Sequence, residues 1–563
     1  MNAPMAEAGT PMAALRHWRQ DLLALFALGV IVCGLAARFI PQPGYTDAYY
    51  YFGDARQLAG GQGFTEPYLW NYLGTPRAPD PGAPLWPSHL YWMPLVSIVA
   101  APWLAAALAL AQWTGRVALT NAALFRAAQL PFILLAAALP LLTYWVTVSL
   151  GAARRPAIIA ALLTLFSPFY FVFWTTTDAF ALYALAGAGA LVCAVQAERQ
   201  PSRARWWLLA TGLAVGLAHL TRADGMLLLL CLLLWVAARP AGRPGWRARL
   251  AGLACLLIGY GLVMAPWFWR DWLVSGSPLG LGGLRTAWLT NYDDLFTFTP
   301  ERLTPAAYLA AGAASLLSGK WAALLTNAQT VIAVQCGIVA FPFVLVGAWR
   351  LRRHPLIQLA MLYGLALLAA MTLVFTFPGA RGGYFHSGAA LLPFLMPAAA
   401  LGLEAAVEAV ARRLPHWQPE KSKPIFGALL VAFAVLLTAA VFWQRVIGAQ
   451  PTTWSASERV YGEAGAWLAT QGDTGVITAA NDPPGWNYWT GRPAIVIPNG
   501  DAATLRQAMQ TYGARFVLLD ENRPGALSAL YANPNSVDVF IPRATFSGSA
   551  GQPAYLLELV PEP

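Results

Sequence analysis

The apolar stretch LLALFALGVIVCGLAARF, residues 22–39, is followed by a polar turn at residues 41–44 and then by Asp47. The stretch is long enough to cross a bilayer as a helix. Asp47 is therefore predicted at the membrane–water boundary, where it avoids the cost of roughly 2.5–3.5 kcal/mol or more that an ionised side chain carries at the bilayer centre. A carboxyl group at the outer mouth of a polytopic protein indicates chemistry on a lipid-borne substrate rather than a pore.

The composition of the 563-residue chain indicates an integral membrane protein, because 58% of its residues are hydrophobic, only 11% are charged and its mean hydropathy is +0.51. The net charge of +10 does not indicate a nucleic-acid partner, since the basic residues are scattered in short loops between apolar stretches. The five cysteines lie within apolar stretches and form no CxxC pair, so neither a disulfide framework nor a zinc site is predicted.

Five short loops are rich in arginine or lysine, at residues 154–155, 199–205, 239–249, 350–353 and 412–423. The positive-inside rule places them in the cytoplasm with the N-terminal residues 1–21, which we interpret as leading into a retained anchor of the cell membrane. The transmembrane module is predicted at 22–443, with outer loops at 40–128 and 270–325. It contains about eleven helices, at residues 22–39, 129–150, 156–173, 178–195, 206–220, 224–238, 250–269, 328–349, 356–377, 386–410 and 425–443.

Residues 93–112 are as apolar as a span, but a crossing there would place Arg154 and Arg155 on the wrong face. We therefore predict a re-entrant or in-plane helix on the outer surface, interrupted by Pro102. The alternative is a crossing followed by a cytoplasmic hairpin at 113–128. A surface helix is also predicted at 305–319 in the second outer loop.

Residues 451–563 differ in character from the rest of the chain. Short runs rich in β-forming residues occur at 475–480, 494–498, 515–520, 536–541 and 554–559, and a helical pattern occurs at 501–512. This alternation predicts an extracytoplasmic α/β domain with a core of its own. The aromatic segment NDPPGWNYWTGRP, residues 481–493, is interpreted as core packing or a membrane-facing rim, with stacking on an acceptor sugar as the alternative.

Two acids are the first candidates for chemistry. Asp47 either handles a proton or bonds nearby backbone N–H groups as an ordinary helix-end acid. Asp178, in FVFWTTTDAFALY, lies at another outer turn and could face the same pocket. The residues Thr175–Asp178 would also make a good N-cap for the following helix, which would orient the carboxylate rather than exclude a function.

Three further outer turns carry cations. GLAHLTRADG holds Arg222, which could simply pair with Asp224, and PWFWRDWLVSGSP holds Arg270, which could pair with Asp271. GARGGYFHSG holds Arg381 and His386, where the glycines allow the backbone to approach a phosphate closely. Together with the acids, these turns predict a pocket in which cations bind a phosphate and a carboxylate handles a proton.

The pattern resembles the GT-C superfamily of glycosyltransferases, near family 39 and the protein O-mannosyltransferases. The resemblance rests on TDAYYYFGDARQLAGGQGF after the first span, PSHLYWMPL at 87–95, Asp178 before the fourth span, GLAHLTRADG, PWFWRDWLVSGSP and the C-terminal domain. It implies a GT-C-like fold and transfer of a sugar from a polyprenyl-phosphate donor to a hydroxyl of a glycan, lipid or protein. Asp47 would be the general base and Asp178 a second acid.

The remaining roles follow from this expectation. The predicted phosphate ligands are Arg222, Arg270, Arg381 and His386, and the predicted cavity residues are Tyr50, Asp54, Glu66, His89 and Asp224. A one-step displacement would invert the anomeric configuration, and a divalent metal held by Asp47 and Asp178 could replace an arginine.

The chain also departs from the pattern of these relatives. Asp47-Ala48 stands where an Asp-Glu pair is usual, and Arg270-Asp271 stands where Arg-Asn is more familiar. The Lys-Pro-Pro-Leu segment of the lipid A aminoarabinose transferases is replaced by PSHLYWMPL, which argues against that substrate. The competing hypotheses are a transporter or flippase of lipid-linked glycans and a non-catalytic membrane subunit that binds a partner through residues 451–563. The clustering of polar residues at span ends, rather than at midplane, favours the enzyme.

Overall fold

The computed structural model describes residues 11–74, 85–115, 118–238, 245–414, 416–449, 452, 454–473, 475–548 and 551–560. Within these ranges, eight helices are long and apolar enough to cross a membrane, at Trp18–Arg38, Leu95–Trp113, Asn121–Ser149, Phe180–Arg199, Trp246–Ser275, Pro355–Val374, Thr376–Ala411 and Pro419–Ile447. The chain is therefore an integral membrane protein of the predicted helical class. The predicted total of about eleven spans also counted shorter helices.

The first span leads into the first of the two loops predicted to lie outside, here called the first outer region, which holds one long helix and three short strands. α1 covers Pro11–Arg38, α2 Thr46–Ala59, β1 Thr65–Glu66, β2 Tyr68–Leu69 and β3 Trp86–Pro87. β1 and β3 pair antiparallel. Gly44 allows the turn between α1 and α2, because its φ of 88° suits glycine and an added Cβ would collide with Trp454.

Seven helices precede the second outer region. They are α3 at Leu95–Trp113, α4 at Asn121–Ser149, α5 at Arg154–Leu165, α6 at Phe180–Arg199, α7 at Ala204–Thr221, α8 at Gly225–Ala238 and α9 at Trp246–Ser275. α3 runs through Pro102 as one helix, so the predicted interruption there is wrong. α5 ends earlier than the predicted residue 173, because Pro168 disfavours helical backbone at Ser167.

The second outer region contains α10 at Leu281–Arg285, α11 at Pro305–Ala310 and the start of α12 at Ala313–Gln329. A π-helical segment, Thr330–Gln335, and α13 at Phe341–Arg350 follow. The predicted continuous span at 328–349 is therefore wrong, since the chain breaks between these two segments. Gly337 and Ile338 both adopt positive φ there, at 55° and 64°, which a helix cannot contain.

The last part of the membrane module has short, interrupted helical segments between α14 and α17, and long helices follow them. Its helices are α14 at Pro355–Ala369, α15 at Thr376–Pro378, α16 at Tyr384–Gly388, α17 at Leu392–Ala411 and α18 at Pro419–Phe442. π-helical turns occupy Ala370–Val374 and Gly379–Gly383. Such turns are frequent at functional sites, and here they precede His386 on α16.

The C-terminal region forms the predicted α/β domain. Its elements are α19 at Glu458–Thr470, β4 at Ile477–Ala480, α20 at Pro483–Thr490, β5 at Ala494–Val496, α21 at Ala502–Tyr512, β6 at Ala514–Leu519, α22 at Ser528–Ala532, β7 at Phe540–Ser547 and β8 at Pro553–Leu559. The sheet has the order β2-β5-β4-β6-β8-β7. β2, β5, β4 and β6 are parallel, and β8 is antiparallel to both of its neighbours.

The first outer region and the C-terminal domain are joined directly. β2 adds to the edge of the domain's sheet beside β5, and Ala494 N–H donates to the carbonyl of Pro67 over 3.2 Å. α20 packs on α2, where the ring of Tyr488 lies 5.0 Å from that of Tyr49. Trp486 is fully buried inside the domain. The aromatic segment 481–493 thus packs in the core and against α2, which fixes the helix that carries Asp47.

Candidate active site

Asp47 occupies the first turn of α2, and about a quarter of its side chain is exposed (27%). The N-terminus of a helix favours a negative charge. Burial nevertheless raises the pKa of Asp47 to about 6, and the neighbouring charge of Asp178 adds to this. His386 and Arg222 oppose the shift. Asp47 is thus a carboxyl group that changes protonation not far below neutral pH and remains accessible.

Asp178 lies in the turn before α6 and is almost fully buried. Its Oδ2 accepts a 2.6 Å hydrogen bond from the hydroxyl of Tyr45, and its Oδ1 accepts from the backbone N–H of Ala179. Burial alone would raise the pKa of Asp178, but His386, Tyr45 and the Ala179 amide together lower it below its ordinary value. Asp178 is not the N-cap of α6, because Ala179 occupies that position without a side-chain cap.

His386 connects the two acids. Its Nε2 lies 3.4 Å from Asp178 Oδ2 and 3.8 Å from Asp47 Oδ2. Its Nδ1 lies 2.8 Å from the carbonyl of Gly382, which only accepts, so Nδ1 carries a proton, and Nε2 faces the acids. Phe180 stacks on the ring at 4.0 Å between centroids and fixes its plane. His386 was predicted with the phosphate ligands, and the structure places it with the carboxyl groups.

These three side chains also fit a divalent cation. One ligand atom from each of Asp47, Asp178 and His386 lies within 4.8 Å of the others. Two carboxyl oxygens and an imidazole nitrogen form a common donor set for divalent metals. The hydrogen bonds that His386 donates to the Gly382 carbonyl and that Tyr45 donates to Asp178 are of the kind that orient metal ligands from outside the coordination sphere.

Arg222 lies beside this trio. Its Nε is 3.3 Å from Asp224 Oδ1 and donates to Ser387 Oγ over 3.1 Å. The local pair with Asp224 is therefore formed as the sequence suggested. Arg222 also interacts electrostatically with both Asp47 and Asp178. Asp224, Tyr51 and these two acids together outweigh the effect of burial and raise the pKa of Arg222. It contributes a fixed positive charge next to the acids.

Arg381 is exposed and stacks over Tyr292, with its Cζ 5.1 Å from the ring centroid. Tyr292 itself interacts electrostatically with Asp47. A guanidinium held on an aromatic face can bind a phosphate while keeping its orientation. Arg381 is thus the more accessible of the two arginines at the site.

The structure places Arg270 elsewhere, in a second cluster behind α2. It pairs with Asp271 at 3.1 Å and donates to the carbonyl of Ser88 over 2.6 Å. Asp54 and His89 lie in the same cluster, 3.1 Å apart and almost fully buried. Burial, aided by Arg270, lowers the pKa of His89 to about 3, so the imidazole is neutral. The structure does not bring Arg270, Asp54 or His89 to the side chain of Asp47.

Sequence reasoning missed several residues of the site. Tyr45, Tyr292 and Ser387 contact or influence the charged groups, and none carries a signal beyond being polar near a predicted turn. Asp482 in the C-terminal domain interacts with the side chain of Thr46 and with Asp47, and burial raises its pKa to about 7. The sequence alone could have suggested Asp482 as the N-cap of α20. Its contact with α2 could not be predicted, because that contact depends on how the C-terminal domain docks.

Comparison with known proteins supports the fold. Residues 99–282, about a third of the chain, match the sequence model of the dolichyl-phosphate-mannose-protein mannosyltransferase family. The matched part contains α4–α9 with Asp178, Arg222 and Arg270, whereas Asp47 precedes it. No curated protein sequence matches the chain.

Several solved structures resemble the chain over almost its full length, among them AglB and ArnT. The archaeal oligosaccharyltransferase AglB from Archaeoglobus fulgidus, in complex with an inhibitory peptide and a dolichol-phosphate, has a TM-score of 0.56 at 13% identity, over 95% of this chain and 74% of that one. ArnT from Cupriavidus metallidurans, bound to undecaprenyl phosphate, has a TM-score of 0.52 at 12% identity, over 96% and 98%. Identity at this level shows the fold. The chain has the GT-C fold, as its sequence predicts.

Proposed function

We propose that this protein transfers a sugar from a polyprenyl-phosphate carrier to an acceptor hydroxyl at the extracytoplasmic face of the membrane. The observation that carries the proposal is the convergence of Asp47, Asp178 and His386 from three distant parts of the chain, with Arg222 beside them. Structures of the same fold contain dolichol-phosphate or undecaprenyl phosphate, which supports a lipid-phosphate donor here. The charged groups lie at helix ends and turns, which favours an enzyme over a transporter.

The proposed reaction is a single displacement. The acceptor hydroxyl loses its proton to Asp47 as its oxygen attacks the anomeric carbon of the donor sugar. The bond between that carbon and the phosphate oxygen breaks, and its electron pair leaves with the polyprenyl phosphate. Attack from the side opposite the leaving group inverts the anomeric configuration. Asp47 is suited to this role because it is partly exposed and its pKa of about 6 leaves it ionised at neutral pH.

The other residues support this step. Arg222 and Arg381 neutralise the negative charge that develops on the departing phosphate. Asp178 keeps its charge, since its pKa is lowered, and orients the ring of His386. A divalent cation held by Asp47, Asp178 and His386 would supply further charge neutralisation at the phosphate.

The proposal is tested with the full-length protein in nanodiscs. A panel of radiolabelled polyprenyl-phosphate hexoses and pentoses is supplied with a membrane extract as the acceptor source. Asp47→Asn is compared with wild type, and Asp538→Asn serves as the matched control because Asp538 is an exposed acid of the C-terminal domain. Transfer by wild type and the control but not by Asp47→Asn supports the proposal. Transfer from none of the donors contradicts it.

A further inference from the structure

Seven exposed arginines lie at the end of the helix bundle opposite to the candidate active site. They belong to the turn from α6 to α7, the start of α9 and the turn from α13 to α14, and they are Arg199, Arg203, Arg205, Arg247, Arg249, Arg352 and Arg353. We call this surface the basic face. α6 begins just after Asp178 and ends at Arg199, and its 20 residues span about 30 Å, the thickness of the hydrocarbon core of a bilayer. The basic face is therefore about one membrane thickness away from the candidate site.

Contacts between the three segments join the arginines into one surface. Arg199 donates from Nη2 to Nε2 of His354 over 2.5 Å, which connects the turn after α6 to the turn before α14. α7 and α9 pack side by side within their first two turns, where a Cβ added to Gly252 would meet Leu208 at 2.9 Å. The first residues of these two helices thus lie at the same level.

The basic face carries a large excess of positive charge. Other basic residues of the loops predicted to lie in the cytoplasm are ion-paired, namely Arg154 with Asp21, Arg155 with Glu404, and Arg350 and Lys423 with Glu408. Among the residues that the structure describes, none of the seven arginines forms an ion pair with a carboxylate. Glu198 is the one acid within 198–206, 246–250 and 349–354. A surface with this imbalance attracts an anionic partner.

Three exposed tryptophans accompany the arginines. Trp206, Trp246 and Trp349 are 73%, 67% and 71% exposed. Cζ of Arg352 lies 4.3 Å from the ring centroid of Trp349, and Cζ of Arg247 lies 5.5 Å from that of Trp246. Tryptophan is enriched at the boundary between membrane and water, at the level of the lipid headgroups. The indole rings therefore place the guanidinium groups at that level.

We propose that the basic face binds the phosphate groups of anionic phospholipids in the leaflet opposite to the candidate active site. A phosphate accepts charge-assisted hydrogen bonds from several arginines at once. The acyl chains would extend along the apolar surfaces of α7 and α9, which expose Leu213, Leu217, Leu250 and Leu257. Basic clusters directly beside membrane helices favour anionic headgroups. This inference is independent of the proposed function, because the basic face contains none of the residues of that site.

The test measures lipid binding to the full-length protein in detergent by native mass spectrometry. The protein is titrated with phosphatidylglycerol or with phosphatidylcholine, and wild type should bind the anionic lipid at least about ten-fold more tightly. Two double variants remove charge, Arg203→Gln with Arg205→Gln and Arg352→Gln with Arg353→Gln. Each should weaken binding of phosphatidylglycerol about ten-fold, because each arginine near a headgroup strengthens the attraction.

The controls locate the bound lipid. Arg302→Gln with Arg543→Gln alters exposed arginines of the second outer region and the C-terminal domain, and should bind phosphatidylglycerol as wild type does. Arg381→Gln, which alters the proposed donor site, should also leave this binding unchanged. Glycerol 3-phosphate, a phosphate ester without acyl chains, should not displace the lipid.

The outcomes decide the inference. Equal affinity of wild type for the two lipids overturns it, as does binding of phosphatidylglycerol that neither double variant weakens. Loss of binding with Arg381→Gln alone would place the lipid at the candidate active site, and displacement by glycerol 3-phosphate would indicate a site for free phosphate, so either result contradicts it. Thermal unfolding identifies a double variant that fails to fold, and the other one then decides.

Discussion

The hydroxyl of Tyr45 donates a 2.6 Å hydrogen bond to Oδ2 of Asp178, the same oxygen that faces Nε2 of His386 at 3.4 Å. Tyr45 immediately precedes the helix that carries Asp47. One phenol therefore links the position of α2 to the charge on the second acid. The relative placement of Asp47 and Asp178 depends on this bond.

We expect Tyr45→Phe to slow transfer about ten-fold or more, because a hydrogen bond to a buried charged group is worth about 1.5–3 kcal/mol. The loss should appear in kcat, with donor KM nearly unchanged. Tyr308→Phe is the control, since Tyr308 lies on α11, outside the candidate site. Equal rates for both variants and wild type would show that the hydroxyl of Tyr45 does not contribute to transfer.

The rate should depend on pH through Asp47. Its pKa is raised to about 6, and a base acts only when it is deprotonated. In metal-free buffer, activity should therefore be constant above this value and fall about ten-fold for each pH unit below it. A pH profile of kcat/KM measures this directly. A profile that stays flat down to pH 4 would exclude a carboxyl base with this pKa.

Arg381 and Arg270 should respond differently to loss of charge. Arg381→Gln should raise the donor KM about ten-fold, because it removes the charge-assisted hydrogen bond that this exposed arginine would donate to the donor phosphate. Arg270→Gln should instead lower the thermal stability, since it removes the cation next to buried Asp54 and Glu66. The opposite pattern would place the donor phosphate at the second cluster.

Docking of the C-terminal domain should stabilise α2. Tyr488→Ala removes the contacts of the Tyr488 ring with the rings of Tyr49 and Phe52, whose centroids lie 5.0 and 5.6 Å away. We expect faster hydrogen exchange in α2 and an activity loss without unfolding of the domain. Tyr531→Ala is the control, because Tyr531 bonds within the domain to Pro553. Unchanged exchange in α2 for Tyr488→Ala would show that the domain does not hold it.

A divalent cation at the three-residue site is tested by titrating Mn²⁺ and recording the EPR signal of the free ion. Wild type should bind one ion, and His386→Ala should bind it at least about ten-fold more weakly. His416→Ala is the control, because His416 lies in the predicted cytoplasmic loop after α17. Identical titrations for wild type, His386→Ala and His416→Ala would show that Asp47, Asp178 and His386 do not bind the ion.

Local features of the sequence predicted much of the fold. The first span and Asp47 followed from hydropathy and a turn, and four of the five predicted strands of the C-terminal domain coincide with β-rich runs. The strand predicted at 536–541 is largely wrong, because residues 536–539 form a turn and β7 covers Phe540–Ser547. The addition of β2 to that sheet was not predictable, because a two-residue strand has no periodicity and its partner, β5, is more than four hundred residues away. The break at Gly337 was missed because most of the surrounding residues are apolar.

The site shows the same division. Asp47, Asp178, Arg222 and Arg381 were predicted because each is a charged residue at a turn. Their neighbours in space come from other spans. His386 faces both acids from a short helix that follows two π-helical turns, a local geometry that the sequence pattern did not predict. The pairing of Tyr45 with Asp178 depends on tertiary packing, and no local pattern in a single sequence predicts it.

The most direct test of the central claim is the single-turnover rate of sugar transfer from a radiolabelled polyprenyl-phosphate donor, for wild type and Asp47→Asn in nanodiscs. Binding of the donor is measured in parallel. The account predicts equal donor binding and a rate lower by roughly 10²–10⁴-fold for Asp47→Asn, the usual contribution of a general base. Equal rates for the two proteins would contradict it.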